Sequence, residues 1–513
     1  MLTFLSILSF AQVALPVNPP LAPPPASTIR REIVEPQEVR PLPGNLDTTP
    51  VFNSNSPELI QQEGILLSTF PPDGMAVSSA HLNYAFDGRF DVFAHHIAKG
   101  LSPDDVRTLY IGVVVYNPND RPVTVDVLQG VSYLSQEAPF RNLPAYVANP
   151  LGTVFSGPGS RTMADILRGD RQSHWPTLLE IPPKHAQILM NVPIPLRQLS
   201  VPTNGSLPPG RVILPPPISS SASTNNIRNR NSQAASQQSP SEDRLLPDNR
   251  PIPINGRTSL MRLWSSGPVH VASLAMYAPS TPDGNERVPT LYEWLQLLTR
   301  GGLAGPRDRP PTSPDTRYVF RFFYGRVAGV AQGSRWEAEL TDPSGGDRLT
   351  IPSSGESISY VLSTVDRNTF GTEQIQSAPM LVRYPDTAYR AHGNYGIEYD
   401  LTLPLKNSTD TTQTVALLIQ TPLQNEELDD ALKFIRPPDE QVFFRGTVRI
   451  RYIDDWRTPQ IRYFHLVQRR GQQGQPLIRL RMRPREQREV RVQFLYPPDS
   501  TPPQVLTIEN LDG

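Results

Sequence analysis

The chain has 513 residues and a net charge of −1, from 48 Lys and Arg against 49 Asp and Glu, and 38% of its residues are hydrophobic. This balance excludes a wholly disordered chain, which needs few apolar groups and a large net charge, and a general nucleic-acid coat, which needs an excess of positive charge. The 58 prolines limit helix content, and the absence of Cys excludes thiol catalysis, Cys-ligated zinc, iron–sulfur clusters and disulfides.

The first residues predict a signal peptide. Residues 1–11 are mostly apolar and carry no charge, and Ser9 and Ala11 are small residues at the positions preferred before a cleavage site. The apolar stretch is too short to span a hydrocarbon core of about 30 Å. No Lys or Arg precedes Arg30, although signal peptides normally begin with basic residues. A hydrophobic N-terminal strand is therefore the alternative.

A Pro-rich linker is predicted at 12–37, between the signal peptide and the folded part of the chain. No later apolar run is long enough to cross a membrane, so we expect no transmembrane span in the mature chain. Together these features favour an extracytoplasmic protein, located in the periplasm, in the outer envelope or outside the cell.

Short strands separated by turn residues predict a first β-sandwich module at 38–280. The β-branched run Leu109–Tyr116 is followed by a turn and by Val123–Leu128, where Val alternates with polar residues as in a half-buried strand. Further strands are predicted at His185–Val192, Ser259–Trp264 and Val269–Tyr277. Short strands at this spacing favour an immunoglobulin-like antiparallel sandwich and a mainly β fold.

A mobile insertion is predicted inside this module, at about 201–256. Its central part, Ser219–Ser241, contains 16 Ser, Thr, Asn or Gln residues out of 23. Such a segment has too few apolar side chains to offset the entropy lost on ordering. A plain surface loop is the simplest interpretation.

Few segments predict helices. The clearest lies in a connecting region of helix and strand at 281–396, where Thr290 and Glu293 fit a capping box and the following Leu and Trp residues have helical spacing. Shorter helices are predicted at Arg161–Leu167, with Ser160 as a possible cap, and at Glu426–Phe434.

A second, Arg-rich sandwich module is predicted at 397–513. Its strands Tyr399–Lys406 and Val415–Gln420 repeat the strand–turn–strand pattern of the first module. Each turn contains an Asn followed three residues later by an Asp. These pairs are Asn117 with Asp120 and Asn407 with Asp410. The repetition indicates two related modules; chance is the alternative, because Asn and Asp are common turn residues.

Common catalytic signatures are absent from the sequence. It has no Gly-x-Ser-x-Gly turn, no His-Glu-x-x-His, no Walker loop and no Ser-x-x-Lys. We therefore expect no cofactor and favour a non-catalytic protein. A secreted glycan-active enzyme that uses carboxylates or a metal near residues 80–99 stays open as an alternative.

The densest polar cluster lies at 80–99. His81, Asp91 and His95 carry donor atoms that suit zinc or manganese. Their spacing matches no known ligand pattern, and neighbours such as His95 and His96 point to opposite faces of a strand. We regard these three residues as weak metal candidates, with hydrogen-bonded structural roles as the alternative.

A second polar cluster lies at 383–396, where Tyr, His, Asp and Arg occur together in a loop-like stretch. Such a mixture can hold a sugar by stacking and hydrogen bonding. Ordinary turn chemistry is the alternative.

The strongest asymmetry of charge is basic. Residues 445–491 contain thirteen Arg and four acids, and in Ile478–Arg483 Arg alternates strictly with apolar residues. Such strands present a row of guanidinium groups on one face, and Arg forms bidentate bonds with carboxylate and sulfate. If these strands share a sheet, its face binds an acidic or sulfated polysaccharide or an acidic envelope protein. The candidate binding residues are Arg449, Arg451, Arg479, Arg481, Arg483 and Arg491. A purely structural scaffold, with the face neutralised by other acids, is the alternative.

Several strings are more specific than composition. They are Pro41–Asp47, Phe52–Glu58, Phe90–His96, Ser132–Gln136, Gly157–Arg161, Tyr324–Val330 and Tyr496–Gln504. Over residues 38–508 the chain resembles a cyanobacterial family known only as a domain of unknown function, with exported, Pro-rich members. The resemblance implies an envelope or secreted protein, and it implies no activity, cofactor or site residues.

Overall fold

The computed structural model describes residues 30–197, 250–316, 321–343, 345–425 and 430–512. The predicted signal peptide, linker residues 12–29 and insertion residues 201–249 lie outside this part of the chain. The domain division proposed from the sequence stays a prediction.

The described residues form a mainly β structure with several sheets. The strands up to residue 277 are β1 (Arg31–Pro36), β2 (Glu38–Arg40), β3 (Asn45–Leu46), β4 (Pro50–Ser54), β5 (Leu59–Ile60), β6 (Gly64–Ser68), β7 (Phe86–Lys99), β8 (Thr108–Tyr116), β9 (Val123–Leu134), β10 (Tyr146–Ala148), β11 (Leu178–Ile181), β12 (Ala186–Pro195) and β13 (Ile254–Tyr277). The later strands are β14 (Ala328–Gln332), β15 (Arg335–Glu339), β16 (Leu349–Thr350), β17 (Ser357–Leu362), β18 (Ala378–Arg383), β19 (Arg390–Ala391), β20 (Glu398–Lys406), β21 (Gln413–Gln420), β22 (Ala431–Arg436), β23 (Val442–Ile453), β24 (Pro459–Arg469), β25 (Ile478–Met482), β26 (Gln487–Leu495) and β27 (Gln504–Asn510). This part of the chain also has two α-helices, α1 (Pro158–Arg168) and α2 (Leu291–Arg300), and a 3-10 turn at Ser78–Ala80.

A 12-stranded sheet is built around the long strand β13. The first half of β13 pairs with β7 and β9, and its second half pairs with β8 and β6. An irregularity in the pairing with β7 lies between Ser265 and Val269. The sequence predicted two strands here, Ser259–Trp264 and Val269–Tyr277, and this was wrong: Ser-Ser-Gly-Pro bends one continuous strand without ending it. Apolar residues of β7, β9, β8 and β12 form one core around it.

An eight-stranded and a five-stranded sheet share a second core. The eight-stranded sheet has the order β10-β24-β23-β26-β20-β15-β3, with β16 beside β20, and the five-stranded sheet has the order β2-β17-β27-β21-β25. Leu401 and Val492 of the first sheet belong to the same core as Leu417, Leu480 and Ile508 of the second. The alternating pattern of these strands therefore places apolar residues between the sheets and polar or charged residues on the opposite faces of the strands.

Helix α1 contacts β9 and β13 of the 12-stranded sheet as well as β23 and β26 of the eight-stranded sheet. It begins with Pro158 and ends at Gly169, which has the left-handed conformation that favours glycine. The predicted helix at 161–167 is confirmed, but it starts earlier and its N-cap is Gly157 instead of Ser160. The helix therefore packs against both the 12-stranded and the eight-stranded sheet.

Helix α2 confirms the predicted capping box: Thr290 accepts a hydrogen bond from the backbone of Glu293, whose side chain bonds back to Thr290. The helix packs on β8 through Trp294, which is fully buried. A Cβ atom at Gly112 of β8 would lie 2.5 Å from the Trp294 ring, so only glycine permits this approach.

The third predicted helix, at Glu426–Phe434, was wrong where the structure describes it. Residues 426–429 lie outside the described part, and Ala431–Arg436 is strand β22, paired with β1. Leu432 and Phe434 pack with Val361 and Val505 in a small separate core. Their alternation has the period of a strand, and it outweighed the helix-forming residues before them.

The repeat predicted from the two Asn–Asp turns has a structural counterpart. In the first copy β8 pairs with β12 and β9 with β11; in the second, β20 pairs with β26 and β21 with β25. Both copies place a fully buried Asn at the turn between their first two strands. The ion pairs at the turns also correspond: Lys184 with Asp120 at 3.1 Å, and Arg485 with Asp410 at 2.8 Å.

The hydrogen bonds of the two buried Asn side chains match one for one. Asn117 Nδ2 donates to the carbonyls of Arg121, Ile181 and Pro182 at 2.7, 3.0 and 3.2 Å. Asn407 Nδ2 donates to those of Thr411, Met482 and Arg483 at 2.8, 3.1 and 3.0 Å. Each Oδ1 atom accepts the backbone N–H two residues later. The two turns therefore share the same pattern of side-chain hydrogen bonds.

We expect Asn117→Ala and Asn407→Ala each to lower the free energy of unfolding by about 2 kcal/mol, because each leaves buried backbone groups without partners. Urea unfolding followed by tryptophan fluorescence measures the change. Asn142, which is exposed, gives the matched control, and Asn142→Ala should have almost no effect. A small effect at either buried Asn would show that its bonds are not needed for stability.

Candidate functional site

Three of the six candidate arginines lie together on an exposed face. Arg479 and Arg481 lie on β25, an edge strand of the five-stranded sheet, and Arg483 follows directly after it. All three are exposed, and same-face residues of a strand are spaced by about 7 Å. We call Arg479, Arg481 and Arg483 the arginine row.

The guanidinium groups of the arginine row form no ion pair or hydrogen bond with any residue that the structure describes. The strand beside the row contributes the small residues Thr414 and Ala416, which lie opposite Arg481 and Arg479. Three acids lie near the row: Glu509 feels the charge of Arg479, and the carboxylates of Asp455 and Glu486 accept the backbone N–H groups of Arg481 and Arg483. The guanidinium groups of the row are thus unpaired in the described part of the chain, with acids close to its backbone.

An exposed tryptophan lies next to the arginine row, at the turn between β23 and β24. Trp456 is 85% exposed. Asp454 Oδ1 accepts the backbone N–H groups of Trp456 and Thr458 at 3.0 and 2.9 Å, which shapes the turn. Asp455 Oδ1 accepts the backbone N–H of Arg481 at 3.0 Å, which joins the turn to β25. The turn that carries Trp456 is thus tied to the strand of the arginine row.

The other three candidates lie in a different sheet. Arg449 and Arg451 are on β23 and Arg491 is on β26, both in the eight-stranded sheet. Arg491 donates two hydrogen bonds of 2.6 Å to Asp400. Arg449 donates to Gln493 at 2.9 Å and to the carbonyl of Leu167 in α1 at 2.7 Å. A single cationic sheet of six arginines is therefore not formed, because β25 does not pair with β23 or β26.

Asp400 is the acid that neutralises this second group. It is 1% exposed and also bonds to Arg335 and Gln493. Burial alone would raise the pKa of Asp400. The hydrogen bonds from Arg491 and the charge of Arg335 outweigh this effect, so the pKa of Asp400 lies below its usual value. Burial, with the charges of Arg449 and Arg491, lowers the pKa of Arg451. This group is a structural charge network beside α1.

The three weak metal candidates bind separate protein partners. His81 Nδ1 lies 2.8 Å from Ser68 Oγ, and Asp91 bonds to Arg89. His95 Nδ1 lies 2.8 Å from Thr258 Oγ1, and its Nε2 lies 3.4 Å from Glu58. No group of three or more His, Cys, Asp or Glu side chains placed to hold a metal occurs in the described part of the chain.

A polar cavity of about 420 Å³ lies where four segments meet, and the sequence did not predict it. Its lining comes from 53–58, 321–327, 391–395 and 498–501, and we call it the junction cavity. Three of the strings that carry the family resemblance, Phe52–Glu58, Tyr324–Val330 and Tyr496–Gln504, each contribute part of the wall. The polar cluster at 383–396 contributes another part. The specific strings and the polar cluster were the only signal that the sequence offered for this cavity. Neighbouring residues in the sequence do not show that these segments meet in the folded chain.

Two ion pairs lie at the junction cavity, and the exposed Arg321 also lines it. Glu58 forms an ion pair with Arg326, and Asp499 forms one with Arg445 at 2.5 Å. Burial raises the pKa of Glu58, but the hydrogen bond and charge of His95 and the charge of Arg326 outweigh it and lower this pKa to about 2. Burial lowers the pKa of His392 to about 4, so this imidazole is neutral near pH 7.

The structure thus defines a mainly β protein with several sheets, an exposed arginine row and a polar cavity. Residues 37–510 match a family described as "Protein of unknown function (DUF3370)", and the chain belongs to this family. No curated protein matches the sequence. No helix in the described part of the chain has the length and apolar character needed to cross a membrane.

Proposed function

We propose that the chain is a non-catalytic extracytoplasmic protein, of the cell envelope or secreted, that binds an acidic or sulfated polysaccharide through the arginine row. The observation that carries the proposal is the set of three exposed guanidinium groups, two on β25 and one directly after it, with no ion-pair partner among the described residues. The proposal keeps Arg479, Arg481 and Arg483 as the binding residues. It leaves out Arg449, Arg451 and Arg491 because they lie in a different sheet, where Arg449 and Arg491 bond to other residues of the protein.

The geometry of the arginine row suits a polymer with repeated charges. Guanidinium groups spaced by about 7 Å present several separate contacts to one extended chain, and each can bond to carboxylate or sulfate with two N–H groups. Trp456 offers an apolar face on which a sugar ring can stack. Linked weak contacts of this kind raise the overall affinity well above that of one contact.

We also propose that the chain is built from two immunoglobulin-like sandwich modules. The one-for-one match between the Asn117 and Asn407 turns supports this proposal, because it covers strand pairing, hydrogen bonds and ion pairs. The arginine row lies on β25, whose counterpart in the first copy is β11. Since β11 reads Leu-Leu-Glu-Ile, the cationic strand belongs to the second copy alone.

Binding is tested with the full chain, immobilised dextran sulfate and alginate, and neutral dextran as the uncharged polymer. We expect Arg479→Ser, Arg481→Ser and Arg483→Ser together to weaken binding to the anionic polymers by roughly tenfold to a hundredfold, because each exposed contact contributes about 0.5 to 1 kcal/mol. Raising the salt to about 1 M should also abolish binding, since screening then acts over about 3 Å.

The matched control removes three exposed arginines elsewhere. They are Arg31, Arg121 and Arg348. This triple Ser variant should bind like the unmodified chain. If both triple variants lost the same amount of affinity, net charge alone would explain the effect. If the unmodified chain did not bind, a structural scaffold would be favoured, in which the charged residues only protect an edge strand. Shortening of the polymer during incubation would favour the glycan-active enzyme.

A further inference from the structure

The junction cavity has the properties of a binding site that is separate from the arginine row. Its volume of about 420 Å³ lies within the usual range of ligand pockets, about 300 to 1,000 Å³. Its walls come from segments that are far apart in the chain, so folding itself assembles it. Most ligand pockets are largely apolar, whereas this one is lined by Asn, His, Asp and Ser as well as by aromatic rings.

Several polar atoms of its wall have no hydrogen-bond partner among the described residues. They are Asn53 Oδ1, Asn55 Oδ1, His392 Nδ1, Asp499 Oδ1 and Ser500 Oγ. A buried polar atom without a partner costs about 1 to 3 kcal/mol, so a cluster of such atoms favours an occupant that supplies hydrogen bonds. Asn side chains turn easily about their last torsion angle, which brings the Oδ1 atoms of Asn53 and Asn55 within reach of an occupant.

Aromatic rings form another part of the wall. The rings of Tyr324 and His392 stack with centroids 5.0 Å apart at 29°, and Phe322 meets Tyr324 edge to face at 4.8 Å. Tyr395 also lines the cavity. The faces of such rings carry negative charge density and attract the weakly positive C–H groups of an apolar surface.

The charges at the wall decide what kind of occupant fits. Glu58 and Asp499 already pair with Arg326 and Arg445. A charged occupant would either compete with these pairs, whose side chains are 21% to 42% exposed, or bind to the exposed Arg321. An uncharged occupant leaves them intact.

We propose that the junction cavity binds one uncharged sugar unit. Sugar hydroxyls both donate and accept hydrogen bonds, so they can satisfy the acceptors Asn53, Asn55 and Asp499 and also Ser500. The C–H face of the sugar ring packs against an outer face of the stacked pair formed by Tyr324 and His392.

The test uses the full chain and a panel of neutral methyl glycosides (glucose, galactose, mannose and N-acetylglucosamine) at millimolar concentration, detected by saturation-transfer NMR. We expect a transfer signal for at least one glycoside with the unmodified protein. Asn55→Leu keeps the approximate volume but removes the polar atoms, and it should abolish this signal. His392→Phe keeps a ring for stacking but loses Nδ1, and it should weaken the signal.

Asn191→Leu is the matched control. Asn191 and Asn55 are both 6% exposed and both have an Oδ1 atom without a partner in the described part, but Asn191 lies on β12 and does not line the cavity. Its substitution should leave the transfer signal unchanged. Circular dichroism checks that each variant is folded.

The proposal is overturned if no glycoside gives a signal, or if the signal survives in folded Asn55→Leu as well as in Asn191→Leu. The outcome is independent of the proposed function, because the triple Ser variant of the arginine row should keep the sugar signal while losing anionic polymers. A signal that disappears with the triple Ser variant would place the sugar on the arginine row instead.

Discussion

Acidification from about pH 7.5 to about pH 5 is expected to lower the free energy of unfolding by about 4 kcal/mol through two buried histidines alone. His96 is 1% exposed and lies 2.9 Å from both Ser54 Oγ and the carbonyl of Pro57. His465 is fully buried beside Thr447. Burial lowers the pKa of each to about 4. Each contributes about 2 kcal/mol at pH 5, since one pKa unit corresponds to about 1.4 kcal/mol.

The direction follows from which state takes up the proton. The ordinary pKa of His is 6.5, and the pKa values of His96 and His465 in the folded protein are about 4. Below about pH 6.5 these two imidazoles therefore take up protons in the unfolded chain but stay neutral in the folded protein. The stability is complete above about pH 6.5 and is lost as the pH falls towards 4. The depressed pKa of Glu58, about 2, acts only at lower pH. Burial raises the pKa of Asp91 and of Asp499, which works in the opposite direction.

Single variants isolate the two histidines from these carboxyl groups. Urea unfolding at both pH values should show that His96→Asn and His465→Asn each remove about 2 kcal/mol of the pH dependence, whatever they cost at pH 7.5. His185, which is exposed, provides His185→Asn as the control, and its pH dependence should equal that of the unmodified chain. If both buried variants kept the full pH dependence, the histidines would not be its source.

Removing the carboxylate of Asp400 is expected to cost about 3 kcal/mol of folding stability. Asp400→Ala leaves Arg491 and Arg335 without their shared partner, and it leaves Arg449 and Arg451 in an uncompensated cluster beside α1. Breaking a buried pair costs about 3 to 5 kcal/mol. The lower end applies, because the side chains of Arg491 and Arg335 are 32% and 36% exposed and water screens them in part.

Asp410→Ala is the matched substitution, since the side chain of Asp410 is 85% exposed and also pairs with an arginine, Arg485. Its effect should stay below about 1 kcal/mol, as for other surface ion pairs. Thermal unfolding of both variants gives the comparison. Equal effects of the two substitutions would show that Asp400 is not a special link between the eight-stranded sheet and α1.

Local sequence patterns predicted most of the elements that depend on local physics. The strands at Leu109–Tyr116 and Tyr399–Lys406 and the capping box at Thr290 are confirmed, because alternation and capping are set by neighbouring residues. The wrong predictions concern segments whose structure depends on contacts with residues far away in the sequence. Leu432 and Phe434 lie in a strand because that strand pairs with β1 and because both side chains pack in a small core. The residues next to them in the sequence indicate neither the pairing nor the core.

The candidate site shows the same division. Alternation correctly placed Arg479 and Arg481 on an exposed face, but it could not show that β25 lies in a different sheet from β23 and β26. Strand order depends on pairings between residues far apart, such as β15 beside β20 and β17 beside β2. The junction cavity was missed for the same reason, since its four segments meet only in the folded chain.

The first three described strands pair with strands that come much later in the sequence: β1 pairs with β22, β2 with β17 and β3 with β15. A ribosome makes the amino end first, so these three strands emerge long before anything exists to receive them. The five- and eight-stranded sheets therefore cannot be completed until most of the polypeptide has been synthesised. A nascent chain of this protein therefore keeps these three strands without their partners for most of translation.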